Sequence, residues 1–361
     1  MLNETTDLIP TDGSTTPSFS TIPTTMNHSL INTSTSAVVP SSEYLDKIAA
    51  NDISSRANYV YSFLAALGFV AACFLLYSFI LTYRAQRRLA WLDCLLWVFC
   101  GFQLLLLLFS LYAVSHRPDY LETTGLGCAA LSFTINTVTL CSLLVLLLMA
   151  YVLTLDPPSH ALLRKPGLCA ALVIVTSVLV SLVLAGVRGP RDGLHKEVKC
   201  FMDPVSAGPS YAVSKFCLVF LIPYILQLGL LIGGCIRQWK TKGRFLSGSE
   251  EGPVFLTVSV VMFFCLLFYS TVLVRAARLE EDGLLSPHEE AFRNVAEFVL
   301  FSGSSISLLL VLLIHRPCRE TLHGVFRQLR DCCQRPGQTQ PNRNIIAPHI
   351  EITDTLQDLE S

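Results

Sequence analysis

Lys215, Arg293 and Glu297 are charged residues set in or beside long apolar runs, and Asn136, Thr139 and Tyr269 are polar residues inside such runs. Ionisable groups among the apolar residues of a membrane helix are costly and usually mark function. Lys215 lies two turns before Pro223, Arg293 and Glu297 one turn apart, and Asn136 and Thr139 a turn or two past Cys128. Brought to one cavity, these side chains form a mostly apolar pocket with a few convergent polar groups, the usual composition of a ligand site. Lys215 and Glu297 then reach the same ligand or each other. Two plainer arrangements use the same residues: Arg293 and Glu297 as an i,i+4 pair, and Lys215 snorkelling to the headgroups. Gln103 and Gln227 suit interhelical hydrogen bonds better than ligand contacts.

The elements that must carry these groups follow from hydropathy. Of the 361 residues, 52% are hydrophobic and 15% charged, with a mean hydropathy of +0.53. A soluble domain has nearer a quarter charged. Apolar runs of bilayer-spanning length occur at Tyr59–Tyr83, Leu89–Val114, Gly127–Leu155, Leu168–Val187, Tyr211–Ile236, Pro253–Val274 and Phe292–Ile314. In hydrocarbon each must be a helix, because an open strand leaves backbone groups unpaired. A large soluble helical core would show polar faces at 3.6-residue spacing, whereas Leu104–Phe109 and Leu143–Met149 are apolar all round. The expected fold class is an all-α membrane protein, a seven-transmembrane-helix bundle with a short amphipathic C-terminal helix.

Residues 1–58 read as a Ser/Thr-rich extracellular arm, glycosylated at the acceptor triplets that begin at Asn3, Asn27 and Asn32. The arm contains no apolar run resembling a signal peptide, so the first span is expected to serve as the insertion signal. The predicted inner loops and the start of the tail hold 14 Lys and Arg against 9 outside, which agrees with the arm in placing the N-terminus outward. An outward N-terminus and inward tail require an odd number of crossings. The localisation that follows is the plasma membrane, multi-pass, with the bilayer as an obligatory partner.

Topology also sorts the 13 cysteines. Cys128 and Cys200 alone lie at the oxidising outer face, so they are expected to form a disulfide that pins the loop after the fourth span over the bundle mouth. Two free thiols are the alternative. Beyond the bundle at 59–314, residues 315–335 alternate Leu322, Val325, Phe326 and Leu329 with Arg319, Arg327 and Arg330, an interfacial amphipathic helix. Cys332 and Cys333 follow as candidate palmitoylation sites, with idle thiols as the alternative. The polar remainder, 336–361, reads as a disordered cytoplasmic tail with Thr339, Thr353, Thr355 and Ser361 available for phosphorylation.

Seven spans, the Cys128/Cys200 pair, Phe220-Leu221-Ile222-Pro223 in the fifth span, and the amphipathic helix followed by cysteines resemble the rhodopsin-like (class A) G protein-coupled receptors over residues 59–333. That resemblance implies a receptor for an extracellular ligand, with a heterotrimeric G protein, arrestin or both as partners. Asn294-Val295-Ala296-Glu297, then Phe301, resembles the chemokine-receptor pattern in the seventh span, and Glu43-Tyr44-Leu45-Asp46 is similar to the acidic tyrosine segments those receptors sulfate. The third span ends in Val152-Leu153-Thr154 where the family has Asp-Arg-Tyr. The sixth reads Met262-Phe263-Phe264-Cys265-Leu266-Leu267-Phe268 for Phe-x-x-Cys-Trp-x-Pro, and the seventh reads Ser307-Leu308-Leu309-Leu310-Val311 for Asn-Pro-x-x-Tyr. These departures imply an orphan or atypical receptor. Asp93, which follows Arg88 closely, reads as an interfacial carboxylate near Arg87 and Arg88 rather than a mid-membrane ion ligand.

Other classes fit less well. An intramembrane hydrolase needs buried metal ligands or an acid/base pair, and the eight histidines lie in loops, arm or tail, with His315 at the inner rim. No catalytic residue, metal or cofactor is expected. A secondary transporter would show an internal repeat and midplane charge. An opsin needs a lysine in the seventh span, and none follows Lys242. Net charge of -1 gives no reason to expect nucleic acid. A receptor for a peptide, chemokine or small molecule is the leading reading; a non-signalling binding, scavenging or trafficking protein is the second.

Overall fold

The computed structural model describes residues 42–86, 91–117, 119–154, 166–188, 195, 197–241 and 252–334. Among them seven helical spans are long and apolar enough to cross a membrane, so the expected all-helical bundle is the observed fold. The spans are α1 (Ser42–Gln86), α2 (Trp91–Val114), α3 (Gly125–Thr154) and α4 (Pro166–Arg188), a compound fifth span, α7 (Gly252–Glu281) and α8 (Pro287–Ile314). The fifth span joins α5 (Gly208–Lys215), a π-helical segment (Phe216–Leu221) and α6 (Ile222–Thr241). A further helix, α9 (Arg316–Gln334), follows the seventh span. The acceptor sites Asn3, Asn27 and Asn32 and the tail threonines lie outside the described residues, as do Arg87 and Arg88. Cys332 and Cys333 fall within α9, but their side chains are not among those described.

Burial separates central from peripheral spans. In α8, 67% of the apolar window is buried, in α4 only 22%. Leu172, Val175, Leu179, Leu182 and Val183 of α4 point outward, as do Ile225, Leu228, Ile232 and Ile236 of α6. An apolar surface of this kind, on helices of spanning length, suits a hydrocarbon surround.

α1 differs most from expectation. It starts seventeen residues before Tyr59 and has 45 residues, so the segment just before the first apolar run is helical rather than part of an irregular arm. The reason lies in α8. Ala50 and Ser54 are buried, Asn294 Nδ2 donates to Ser54 Oγ at 3.4 Å, and His288 approaches Asp46 at 3.9 Å. The seam continues inward through Tyr61 beside Phe298 and Phe301. At Gly68 a β-carbon would stand 2.8 Å from the Ser305 Cα, so only glycine lets the two backbones approach this closely.

The fifth span widens where Pro223 follows. Proline lacks an N–H and its ring presses on the carbonyl four residues back. The chain responds with one wide turn, in which the Ile222 N–H bonds to the Cys217 carbonyl five residues earlier. At the start of α8, Ser286 accepts from the Glu289 N–H at 3.3 Å, Pro287 occupies the first turn, and Glu289 and Glu290 face the positive end of the helix dipole. Its far end stops at His315, whose backbone is extended, and the chain turns into α9. There Ser78 Oγ donates to Thr321 Oγ1 at 3.3 Å while Phe326 and Leu329 stay exposed, as an interfacial helix requires.

One pair of short strands completes the fold. β1 (Glu122–Thr124) pairs antiparallel with β2 (Glu197–Lys199), Glu122 opposite Lys199 and Thr124 opposite Glu197. The Cys128–Cys200 disulfide forms beside it with a Cα–Cα distance of 5.3 Å, and the Cys200 N–H bonds to the Leu121 carbonyl at 2.7 Å.

Candidate functional site

The disulfide delivers residues 200–205 into the bundle mouth, and Lys215, Tyr269 and Arg293, three of the polar residues singled out in the sequence, meet this segment there. Phe201, Met202 and Asp203 descend between the helices. The Phe201 carbonyl accepts from Arg188 Nη2 at 3.3 Å, and the Met202 carbonyl accepts from Ser132 Oγ at 2.6 Å. Arg188 Nη1 donates in turn to Ser132 Oγ at 2.9 Å. These bonds tie the segment to α3 and α4.

Asp203 is 1% exposed, an expensive place for a carboxylate unless it is paired and hydrogen-bonded. It has three donors. Lys215 Nζ lies 2.5 Å from Oδ2, Tyr211 Oη donates to Oδ1 at 2.5 Å, and Tyr269 Oη donates to Oδ2. Asn136 on α3 lies beside Tyr211. Burial pushes the Asp203 carboxyl up, but the ammonium beside it and the three hydrogen bonds prevail and hold it below the usual carboxylate range.

The second cluster lies on the α8 side. Glu297 pairs with Arg117, which follows α2, and both side chains are buried. The Arg117 guanidinium stands 3.9 Å from the Tyr120 ring centroid, Tyr120 lies 4.1 Å from Phe201, and the Arg293 guanidinium stands 5.2 Å from the far ring. Two cations therefore enclose two aromatic rings, a favourable arrangement when desolvated. Tyr120 Oη lies 2.7 Å from Glu290 Oε1 and accepts from Arg293 Nη2 at 3.2 Å. Its phenol is raised, first by burial, against the opposing pull of Arg117 and Arg293.

The polar residues expected to share one cavity divide between two clusters. Lys215 and Glu297 do not meet; each has its own counter-ion on a loop. Arg293 bonds Tyr120 and approaches Glu290 at 4.0 Å, with Glu297 near enough to bear on its charge although it pairs with Arg117. Lys215 is buried rather than snorkelling. Thr139 gives its hydroxyl to the Ile135 carbonyl of its own helix at 2.8 Å. Tyr269 does join the cluster, and Asn136 lies beside its Tyr211. Gln227 finds Ser259 at 2.9 Å, whereas the Gln103 amide makes no hydrogen bond among the described residues. Asp203, Arg117, Tyr120, Arg188 and Ser132 were missed. The pairing of Cys200 was the one signal for Asp203, since it confines the next three residues to the mouth.

Among the described residues little space remains under the segment. The void under the segment, bordered by Arg117, Ser132, Met202, Glu297 and Phe301, measures about 10 Å³, room for a single water. A far larger groove, about 720 Å³, lies between α3, α4 and α6, but its lining is almost wholly apolar and faces outward.

At the opposite end, Asp93 meets His315 rather than a described arginine: His315 Nε2 lies 3.3 Å from Asp93 Oδ1, and Nδ1 lies 3.2 Å from Cys318 Sγ. Burial pulls His315 down, but the bonds to Asp93 and Cys318 outweigh it and raise it to about 9. This contact joins the ends of α2, α8 and α9.

The arrangement defines a seven-helix membrane-spanning bundle with one disulfide-anchored segment seated in its mouth. No protein-family model matches the chain, and no curated protein is significantly similar to it.

Proposed function

We propose that the chain is a plasma-membrane receptor of the rhodopsin-like type, its N-terminus and disulfide end facing outward, and that its ligand enters the mouth now filled by residues 201–203. The observation that carries this reading is the convergence of α3, α4, α5, α7 and α8 on that segment through hydrogen bonds and ring contacts. A ligand seated there would contact the same helices. The π-helical turn before Pro223 and the interfacial α9 support the same family resemblance. Heterotrimeric G protein and arrestin are the transducers to test.

A second reading, a binding or scavenging protein without G protein output, draws on the opposite end. Thr154 spends its hydroxyl on the Ala150 carbonyl at 2.8 Å, and Ser307 Oγ makes no hydrogen bond among the described residues. A ligand-library screen reading nucleotide exchange, arrestin recruitment and internalisation in parallel separates the two. A ligand response that depends on the mouth supports the receptor. Uptake with neither transducer engaged supports the second reading, and no response or uptake at all overturns both.

A further inference from the structure

We infer that Lys215, Tyr211 and Tyr269 form a carboxylate-binding cage, occupied here by the chain's own Asp203, and that the external ligand carries a carboxylate that takes the place of Asp203. The cage stands on helices: Tyr211 and Lys215 are one turn apart on α5, and Tyr269 faces them from α7. Its occupant stands on irregular chain. Donors held by rigid elements are preorganised for whatever group arrives, so the cage does not depend on this loop for its shape.

The count of donors and charges selects the ligand class. One ammonium and two phenol hydroxyls address two oxygens: Oδ1 takes Tyr211, and Oδ2 takes Lys215 and Tyr269. This pattern suits a planar group of charge -1. Other cations at the mouth have contacts of their own: Arg188 on α4 bonds the Phe201 carbonyl and Ser132, and Arg293 on α8 packs against Phe201 and bonds Tyr120. Arg117 is likewise neutralised by Glu297.

The same charges disfavour a neutral replacement. When the segment withdraws, Lys215 loses its counter-ion, which is costly wherever the site stays dry. An incoming anion restores that partner and holds the segment out. A ligand shifts an equilibrium only through its differential affinity for the two states, and here the difference resides in the carboxylate. Phe201 and Met202 precede Asp203 in the mouth, so the ligand's body is apolar or aromatic.

The cage can be tested without any signalling assay, whereas the ligand assignment rests on the receptor reading. Full-length Asp203→Gly, purified in detergent, is expected to melt below the parent. Sodium acetate or propionate should raise its melting temperature saturably, and sodium chloride at equal ionic strength should not. Asp203→Gly/Lys215→Met should show no carboxylate response. If Asp203→Gly can be extracted only with salt present, a higher yield in acetate than in chloride is the expected result. Equal behaviour in the two salts overturns the cage. For the parent chain, a thermal-shift screen of neutral, cationic and carboxylate-bearing compounds should return carboxylates whose effect Lys215→Met abolishes. Hits confined to neutral or cationic compounds overturn the ligand assignment. Carboxylates that bind but drive neither transducer nor uptake leave the cage standing and remove the receptor reading.

Discussion

Glu297 and Arg117 neutralise each other in a place where neither is stable alone. Removing one partner of a buried ion pair typically costs about 3–5 kcal/mol, while replacing both with apolar groups is often close to neutral. Glu297→Ala is therefore expected to lower thermal stability sharply, and Arg117→Met/Glu297→Leu to recover much of the loss. Equal melting temperatures for the single and double variants would show that the pair is not what the mouth depends on. His315 supplies a pH signature at the other end. Its folded-state value of about 9 exceeds the ordinary 6.5, so its contribution is complete below about 6.5 and is lost as pH rises through about 9. The parent should lose melting temperature across that alkaline window and His315→Gln should lose less; parallel curves would rule out the linkage. At this scale the sequence was half legible. Lys215 and Glu297 stood out because charge is costly among apolar neighbours. Their partners Asp203 and Arg117 lie in connecting segments, where no periodicity says which way a side chain turns.

Helix boundaries were legible wherever hydrocarbon dictates them, since a span must be apolar for its full length. They failed where a helix continues into water, as α1 does before Tyr59. There the stabilising face is small residues against α8, and Ala50 and Ser54 among charged neighbours give no hydropathy signal. The compound fifth span was legible only as a proline; the π-helical turn that absorbs Pro223 changes the backbone bonding without altering the hydropathy of the run. The α1–α8 seam yields the sharpest test of an element. At Gly68 an added β-carbon meets the Ser305 Cα at 2.8 Å, and backbone cannot rotate away as a side chain can. Overpacking of this kind costs about 1–3 kcal/mol. Gly68→Val should reduce surface expression and melting temperature, whereas the same change at Gly101, where nothing stands within 4 Å, should be mild. Indistinguishable effects at the two positions would mean that the close approach is not limiting.

For the whole molecule, the two ends of the bundle differ in what they can switch. The disulfide end carries exchangeable charge: Asp203 on Lys215 and Glu297 on Arg117 are each bonds between a loop and a helix. At the opposite end α3 closes on Val152, Leu153 and Thr154, and α8 runs unbroken through Ser307 and Leu308 to Ile314. Leu153 offers no donor where the resembling family has an arginine, and α8 has no proline to loosen its backbone ladder. The ionic contact between helices described there, His315 with Asp93, braces α2 against the α8–α9 corner rather than α3 against α7. A ligand acting from the mouth then finds few contacts at the far end that differ between two states, and leverage requires such a difference. The expected outcome is weak or absent ligand-driven G protein activation, with internalisation or arrestin recruitment the stronger response. A carboxylate ligand that drove robust nucleotide exchange on a heterotrimeric G protein, with the response lost in Lys215→Met, would show that α3 and α7 switch without these contacts.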